Sequence, residues 1–267
     1  MTDRPTGETE TPAAPAVDWS ELVARGRYDL AAQTYRLTGG TDELLRANLE
    51  SLADAQMAAR DKAWRRVVKA LERVEQRHDA LPWQAIDRDA EALQEASAAL
   101  DVRESDQARE HLARADGSGF PAEVATLMGT LAVFEGDNER ARERFEAALE
   151  LDPNHFRALT NLGNLKLEQD DVDGAIDAYE RAIRLNDTFA NAHHNLGVAY
   201  RRKGQVAKSV QALRRAQREG SKRDAEDARA RLGAGKARSP GSARTVRWIV
   251  IAVIAIAAFW FFGGRTP

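Results

Sequence analysis

Three consecutive windows of 34 residues align without a gap: Ala122–His155, Phe156–Phe189 and Ala190–Arg223. Met128-Gly129, Leu162-Gly163 and Leu196-Gly197 share two columns. Ala141, Ala175 and Ser209 share another, as do Phe145, Tyr179 and Leu213, then Ala148, Ala182 and Ala216. Gly136, Asp170 and Gly204 stand in the loop column, and Pro153, Asp187 and Ser221 in the closing one. A fixed period of this length restricts the fold to stacked units, each too small to bury its own face and stable only against its neighbours. Ala, Arg, Glu and Leu dominate and are good helix formers, so the whole chain reads as all-α.

These columns resemble the tetratricopeptide repeat, whose pattern is W-x2-L-G-x2-Y, then A-x3-F, then P. The likeness covers 122–223. It departs at the Trp column (Ala125, Leu159, His193) and at the first Tyr column (Ala132, Lys166, Tyr200). The resemblance implies two antiparallel helices per repeat in an α-solenoid. Gly and Ala then let helix backbones approach, and the Phe/Tyr/Leu column fills the gap to the next repeat. Upstream, Gly26, Ala31 and Tyr35, and again Ala108, Leu112 and Ala115, mimic second repeat helices.

The remaining chain divides by composition. Residues 1–17 are polar and Pro-rich, without the basic start and apolar stretch of a secretory signal. Region 18–121 holds the degenerate repeats and a helical hairpin. Its first helix is expected over Asp42–His78, with Thr41 as N-cap and Trp64, Val67, Leu71 and Val74 at heptad spacing. Pro82 ends it, and Ile86, Ala90, Leu93 and Leu100 mark the partner helix. A self-association arm through 42–100 is the alternative use of that seam. Residues 224–232 read as a polar capping helix and 233–247 as a basic linker.

Residues 248–264 carry no charge over 17 positions, the lower limit for crossing a bilayer as a helix. Lys236, Arg238, Arg244 and Arg247 precede the run, Arg265 alone follows it in the 265–267 tail, and Trp248 and Trp260 lie near its ends. The expectation is one C-terminal transmembrane helix with the N-terminal body cytoplasmic, in a bacterial inner membrane. Charge is polarised to match. Residues 1–200 carry 23 Lys+Arg against 38 Asp+Glu, and 201–247 carry 15 against 4. The basic stretch offers an alternative working surface for anionic lipid or, with few aromatics among its cations, less readily for nucleic acid.

No cysteine is present, which removes disulfides and thiolate chemistry. No phosphate-binding Gly loop, H-E-x-x-H or G-x-S-x-G occurs, and adjacent His193 and His194 point about 100° apart on a helix. The chain is expected to be no enzyme and to need no cofactor or metal. The resemblance implies instead that first helices line a concave groove for an extended peptide. It places Thr126, Thr130, Val133 and Phe134 there from the first repeat. Arg157, Thr160, Asn161, Asn164, Leu167 and Glu168 come from the second, and Asn191, His194, Asn195, Val198, Arg201 and Arg202 from the third. Asn161 and Asn195 share a column, and an amide both donates and accepts, so it can pair with a peptide unit whatever the side chain. The cations Arg201, Arg202 and Lys203 favour an acidic protein or peptide partner, which the expected anchor would hold at the membrane.

Overall fold

In the computed structural model residues 18–236 are described, and they form twelve helices arranged as six hairpins. The first three hairpins are α1 (Trp19–Ala24) with α2 (Tyr28–Leu37), α3 (Glu43–Arg60) with α4 (Trp64–Glu72), and α5 (Trp83–Asp101) with α6 (Ser105–Arg114). The next three are α7 (Pro121–Phe134) with α8 (Asn138–Leu151), α9 (Phe156–Glu168) with α10 (Val172–Leu185), and α11 (Ala190–Arg202) with α12 (Val206–Lys236).

One turn geometry recurs in all six. A residue with positive φ stands between the helices: Gly26, Lys62, Arg103, Gly136, Asp170 and Gly204. Its N–H returns to the carbonyl three residues back, and the next N–H to the one five back, as in Gly136 to Val133 and Asp137 to Ala132. That pair of bonds satisfies the last carbonyls of the first helix and reverses the chain within two residues. Five and nine residues beyond the turn, the second helix buries Ala31 and Tyr35, Val67 and Leu71, Ala108 and Leu112, Ala141 and Phe145, or Ala175 and Tyr179. Second helices are capped where Asp137 and Asp171 accept N–H bonds from Arg140 at 3.0 Å and Gly174 at 2.9 Å.

The aromatic column packs over the glycine column of its own hairpin, Tyr179 over Gly163 and Phe145 over Gly129. Each ring also shares a core cluster with the following repeat, Tyr179 with Leu196 and Ala199, and Phe145 with Leu165. A Cβ built on Gly163 would lie 2.5 Å from the Tyr179 ring, and one on Gly129 would lie 2.6 Å from Phe145. In the first hairpin the same place is taken by Trp19, whose ring meets Tyr35 edge-on at 5.7 Å. Gly163→Leu should therefore destabilise by about 1–3 kcal/mol through overpacking. An unchanged melting temperature would show that Tyr179 swings aside at little cost.

Four further expectations are corrected. The helix expected over Asp42–His78 is broken: α3 ends at Arg60, Lys62 takes φ of 55°, and α4 starts at Trp64. The cap of α3 is Asp42, not Thr41, with Oδ1 2.9 Å from the N–H of Leu45. Val67 and Leu71 pack into the chain's own main core, so the seam proposed for self-association is used internally. The capping helix and the start of the linker are the continuation of α12, which runs without a break from Val206 to Lys236.

The membrane expectation is also corrected. Among the described residues no helix is long and apolar enough to cross a membrane. The run 248–264 and its flanks Arg238, Arg244, Arg247, Trp248, Trp260 and Arg265 lie outside the described residues, as does the side chain of Lys236. The tail-anchored layout, the lipid partner and the inner-membrane location are accordingly withdrawn, and with them the reading of 201–247 as a lipid or nucleic-acid surface.

The stack curls so that its first two hairpins return against later ones. Tyr28 donates its hydroxyl to the Gly119 carbonyl at 2.7 Å, and the Gln56 amide donates to the Gly26 carbonyl at 2.7 Å. Asp152, fully buried between α8 and α9, receives Arg60 at 2.7 Å and Arg27 at 3.5 Å. At the far end Asp61 meets Asn186 and Arg223. This curl decides what remains open on the inner face.

Candidate peptide-binding groove

The first helices α7, α9 and α11 stand side by side, and residues 34 apart occupy equivalent places on them. A polar ladder crosses from one to the next. Asn161 directs its amide N–H to Thr130 Oγ1 at 3.5 Å. Asn195 donates to Asn164 Oδ1 at 2.7 Å, and that oxygen also accepts the Tyr179 hydroxyl at 2.8 Å. Burial raises the Tyr179 phenol above its ordinary pKa, which keeps it a donor. Arg202 closes the series by donating to the Leu167 carbonyl at 2.6 Å.

The ladder uses only part of each amide. Among the described residues, Asn161 Oδ1, Asn195 Oδ1 and Asn164 Nδ2 have no hydrogen-bond partner, and all three side chains are half-buried. Two acceptors and one donor are thus left unused on amides fixed by bonds between helices, the kinds of group that pair with the N–H and C=O of a peptide backbone.

Other residues expected in the groove fall into different settings. Thr126 and Thr160 are buried and turn back on their own helices, donating to Ala122 and Phe156 carbonyls, each at 2.8 Å. Thr130 does the same to the Thr126 carbonyl at 2.9 Å while keeping its contact with Asn161. Hydroxyls on helices commonly bond four residues back in this way. Asn191, His194 and Arg201 are exposed. Val133 and Val198 are half-buried, Leu167 is buried, and Phe134 is exposed with the Arg103 guanidinium 5.9 Å from its ring. Glu168 is exposed and accepts from the Asn138 amide at 3.3 Å. Arg157 lies with its guanidinium 5.6 Å from the Phe189 ring.

The α3–α4 turn was not visible in the sequence as part of this face. Ala59, Lys62 and Trp64 stand against Glu123, Thr126, His155 and Arg157, closing the end where α7 and α9 begin. Beneath it lies a charged node. Glu123 is buried with neither carboxylate oxygen hydrogen-bonded. Its pKa is pushed up to about 7 by burial, against the pull of Arg60 and with help from Asp152 and Asp29. His155, fully buried, is brought down to about 3 by burial, then by Arg60 and Arg157. Its Nδ1 accepts the Ala158 N–H at 3.2 Å, so the neutral imidazole serves as the N-cap of α9. No group of three or more His, Asp or Glu placed to hold a metal ion occurs among the described residues.

Residues 126–188 and 160–224 match the tetratricopeptide repeat family. No curated protein matches the chain. Among solved structures, a crystal structure of MamA is similar over 64% of this chain and 96% of its own, at 20% identity and a TM-score of 0.42. A second MamA structure covers 67% of this chain and 94% of its own at 19% identity, with a TM-score of 0.41.

Proposed function

We propose that this chain is a binding scaffold that holds an extended peptide segment of a partner protein across α7, α9 and α11. The observation that carries the reading is the Asn164–Asn195 pair with its neighbour Asn161. Three amides are locked by bonds between helices, yet keep acceptors and a donor for a ligand. Fixed groups lose little entropy on binding, so each bond to the peptide backbone counts nearly in full. Because the amides read backbone rather than side chains, the groove selects for extension more than for sequence.

A library of immobilised twelve-residue peptides, probed with the full chain, tests this directly. The double change Asn161→Ala plus Asn195→Ala leaves backbone groups of a bound peptide unmet, at about 1–3 kcal/mol per site. Capture should fall by about tenfold or more, while helicity by circular dichroism stays unchanged. Undiminished capture by the double variant, or no peptide held by the parent chain, would refute the groove.

A further inference from the structure

The last hairpin ends the stack, and its outer side repeats positions that are covered in the unit before it. In the α9–α10 unit, Val172 and Ile176 are half-buried against Leu196, Ala199 and Tyr200 of α11. The residues 34 positions on, Val206 and Val210, are 65% and 43% exposed. Tyr179 is fully buried, whereas its equivalent Leu213 is half-buried. A terminal unit built to meet only water carries polar residues on its outer face. Valine there also weakens an exposed helix, since its branched Cβ loses rotamer freedom. Two valines kept at the covered positions mark a face made for a further helix.

Charge indicates what kind of helix. Val206, Val210, Arg214 and Arg218 follow at four-residue steps and so form one ridge of α12. Val210, Arg214 and Arg218 border the same surface depression, together with Ala207, Gln211 and Gln217. Arg214 and Arg218 enter no ion pair among the described residues, and the neighbouring Glu219 is engaged by Arg215 at 3.1 Å and Lys222 at 3.3 Å. From Val206 to Arg218 the helix has four Lys+Arg and no Asp or Glu. In the preceding unit the place of Arg214 is held by Glu180, which accepts the Tyr200 hydroxyl of α11 at 2.6 Å. With that place reversed in sign, the group that meets it must be an acceptor, and a carboxylate suits an unpaired guanidinium best. A second copy of this chain would set arginine against arginine across a two-fold axis. The 248–264 run has no acidic residue to offer.

We propose that the ridge from Val206 to Arg218 docks an amphipathic helix of an acidic partner protein, seated as α11 sits on α10. The partner presents leucine or alanine where α11 has Leu196 and Ala199, and a glutamate where it has Tyr200. The ridge is separate from the Asn161, Asn164 and Asn195 ladder, so the proposal stands apart from the groove reading.

The test uses two labelled peptides that copy residues 190–203. Both carry Arg201→Ala, Arg202→Ala and Lys203→Ala, one with Tyr200→Glu and the other with Tyr200→Lys. Equal length makes their costs of helix formation comparable. In fluorescence anisotropy with the full chain, the glutamate peptide should bind saturably and about tenfold more tightly than the lysine one. Arg214→Glu, a change on an exposed helix surface, should invert that order, and Val210→Asp should abolish binding of both. Asn161→Ala plus Asn195→Ala should change neither, and loss of binding in that variant would place the peptide in the groove instead. No saturable binding, equal binding of the two peptides, or an order left unchanged by Arg214→Glu would overturn the proposal. So would a dimer of the parent chain that Val210→Asp disperses, which puts a second copy on the ridge. An intramolecular disulfide formed in the double variant Val210→Cys, Ile254→Cys would put the 248–264 run there and overturn it equally.

Discussion

Asp152→Ala should lower stability by about 3–5 kcal/mol, the usual cost of removing one partner from a buried ion pair. Asp152 is fully buried and faces Arg60 at 2.7 Å and Arg27 at 3.5 Å, so its loss strands two guanidinium groups at once. The Arg60 contact is an ion pair without hydrogen-bond alignment. Asp29 also engages both arginines, Arg60 at 3.1 Å and Arg27 at 3.4 Å, but it is half-exposed and supplies a weaker field. Urea unfolding followed by circular dichroism measures the loss. A decrease under about 1 kcal/mol would mean that water reaches the arginines once the carboxylate is gone, as at a surface pair.

Glu123→Gln should stabilise the chain at pH 8 by on the order of 2–3 kcal/mol, and the difference should vanish below about pH 4. The sign follows from the direction of the shift. Folding raises the Glu123 pKa from 4.5 to about 7, so the folded state holds the proton longer than the unfolded one. Stability from this group is full below 4.5, falls as pH rises, and reaches its floor above about 7. His155 works in the opposite sense. Its pKa falls from 6.5 to about 3 on folding, so stability falls as pH drops through that window. Between 4.5 and 6.5 the two slopes oppose and the parent protein should show a nearly flat stability profile. In Glu123→Gln only the His155 slope remains, and stability should climb from pH 3 to 6.5. A variant profile parallel to the parent's would mean that Glu123 is already ionised or solvated in the fold.

What could be read from sequence was what the hairpin determines locally. Gly163 and Tyr179, or Gly129 and Phe145, meet within one hairpin, so their spacing survives as a column. Gly26, Ala31 and Tyr35 carried the same spacing near the start, and Ala108 and Leu112 further on. The second hairpin escaped because Lys62 holds the left-handed position where glycine would have announced a turn, and Trp64, Val67 and Leu71 continue a helical spacing across it. In the groove, Asn161 and Asn195 stood out by recurrence. Thr126 and Thr160 recur equally, but their hydroxyls are spent on their own helices, a choice that residue type leaves open. The node around Asp152 and the meeting of Asp61 with Arg223 join residues remote in sequence, and no period records such contacts. The membrane reading drew on residues 248–264, outside the described part, and no described helix has the length and apolarity to replace them.

The contact of Asp61 with Asn186 and Arg223 has a bearing on the number of units in the stack. An open solenoid is indifferent to length, since one more unit merely extends it. Here an early turn touches the last two hairpins, so distance along the chain is gauged against distance through space. Deleting one 34-residue unit would shift α12 by one increment of rise and rotation, leaving Asp61 opposite a different surface. The count of hairpins is thereby fixed by geometry, and lineages that duplicate or lose a unit would have to redesign this clasp before keeping the change.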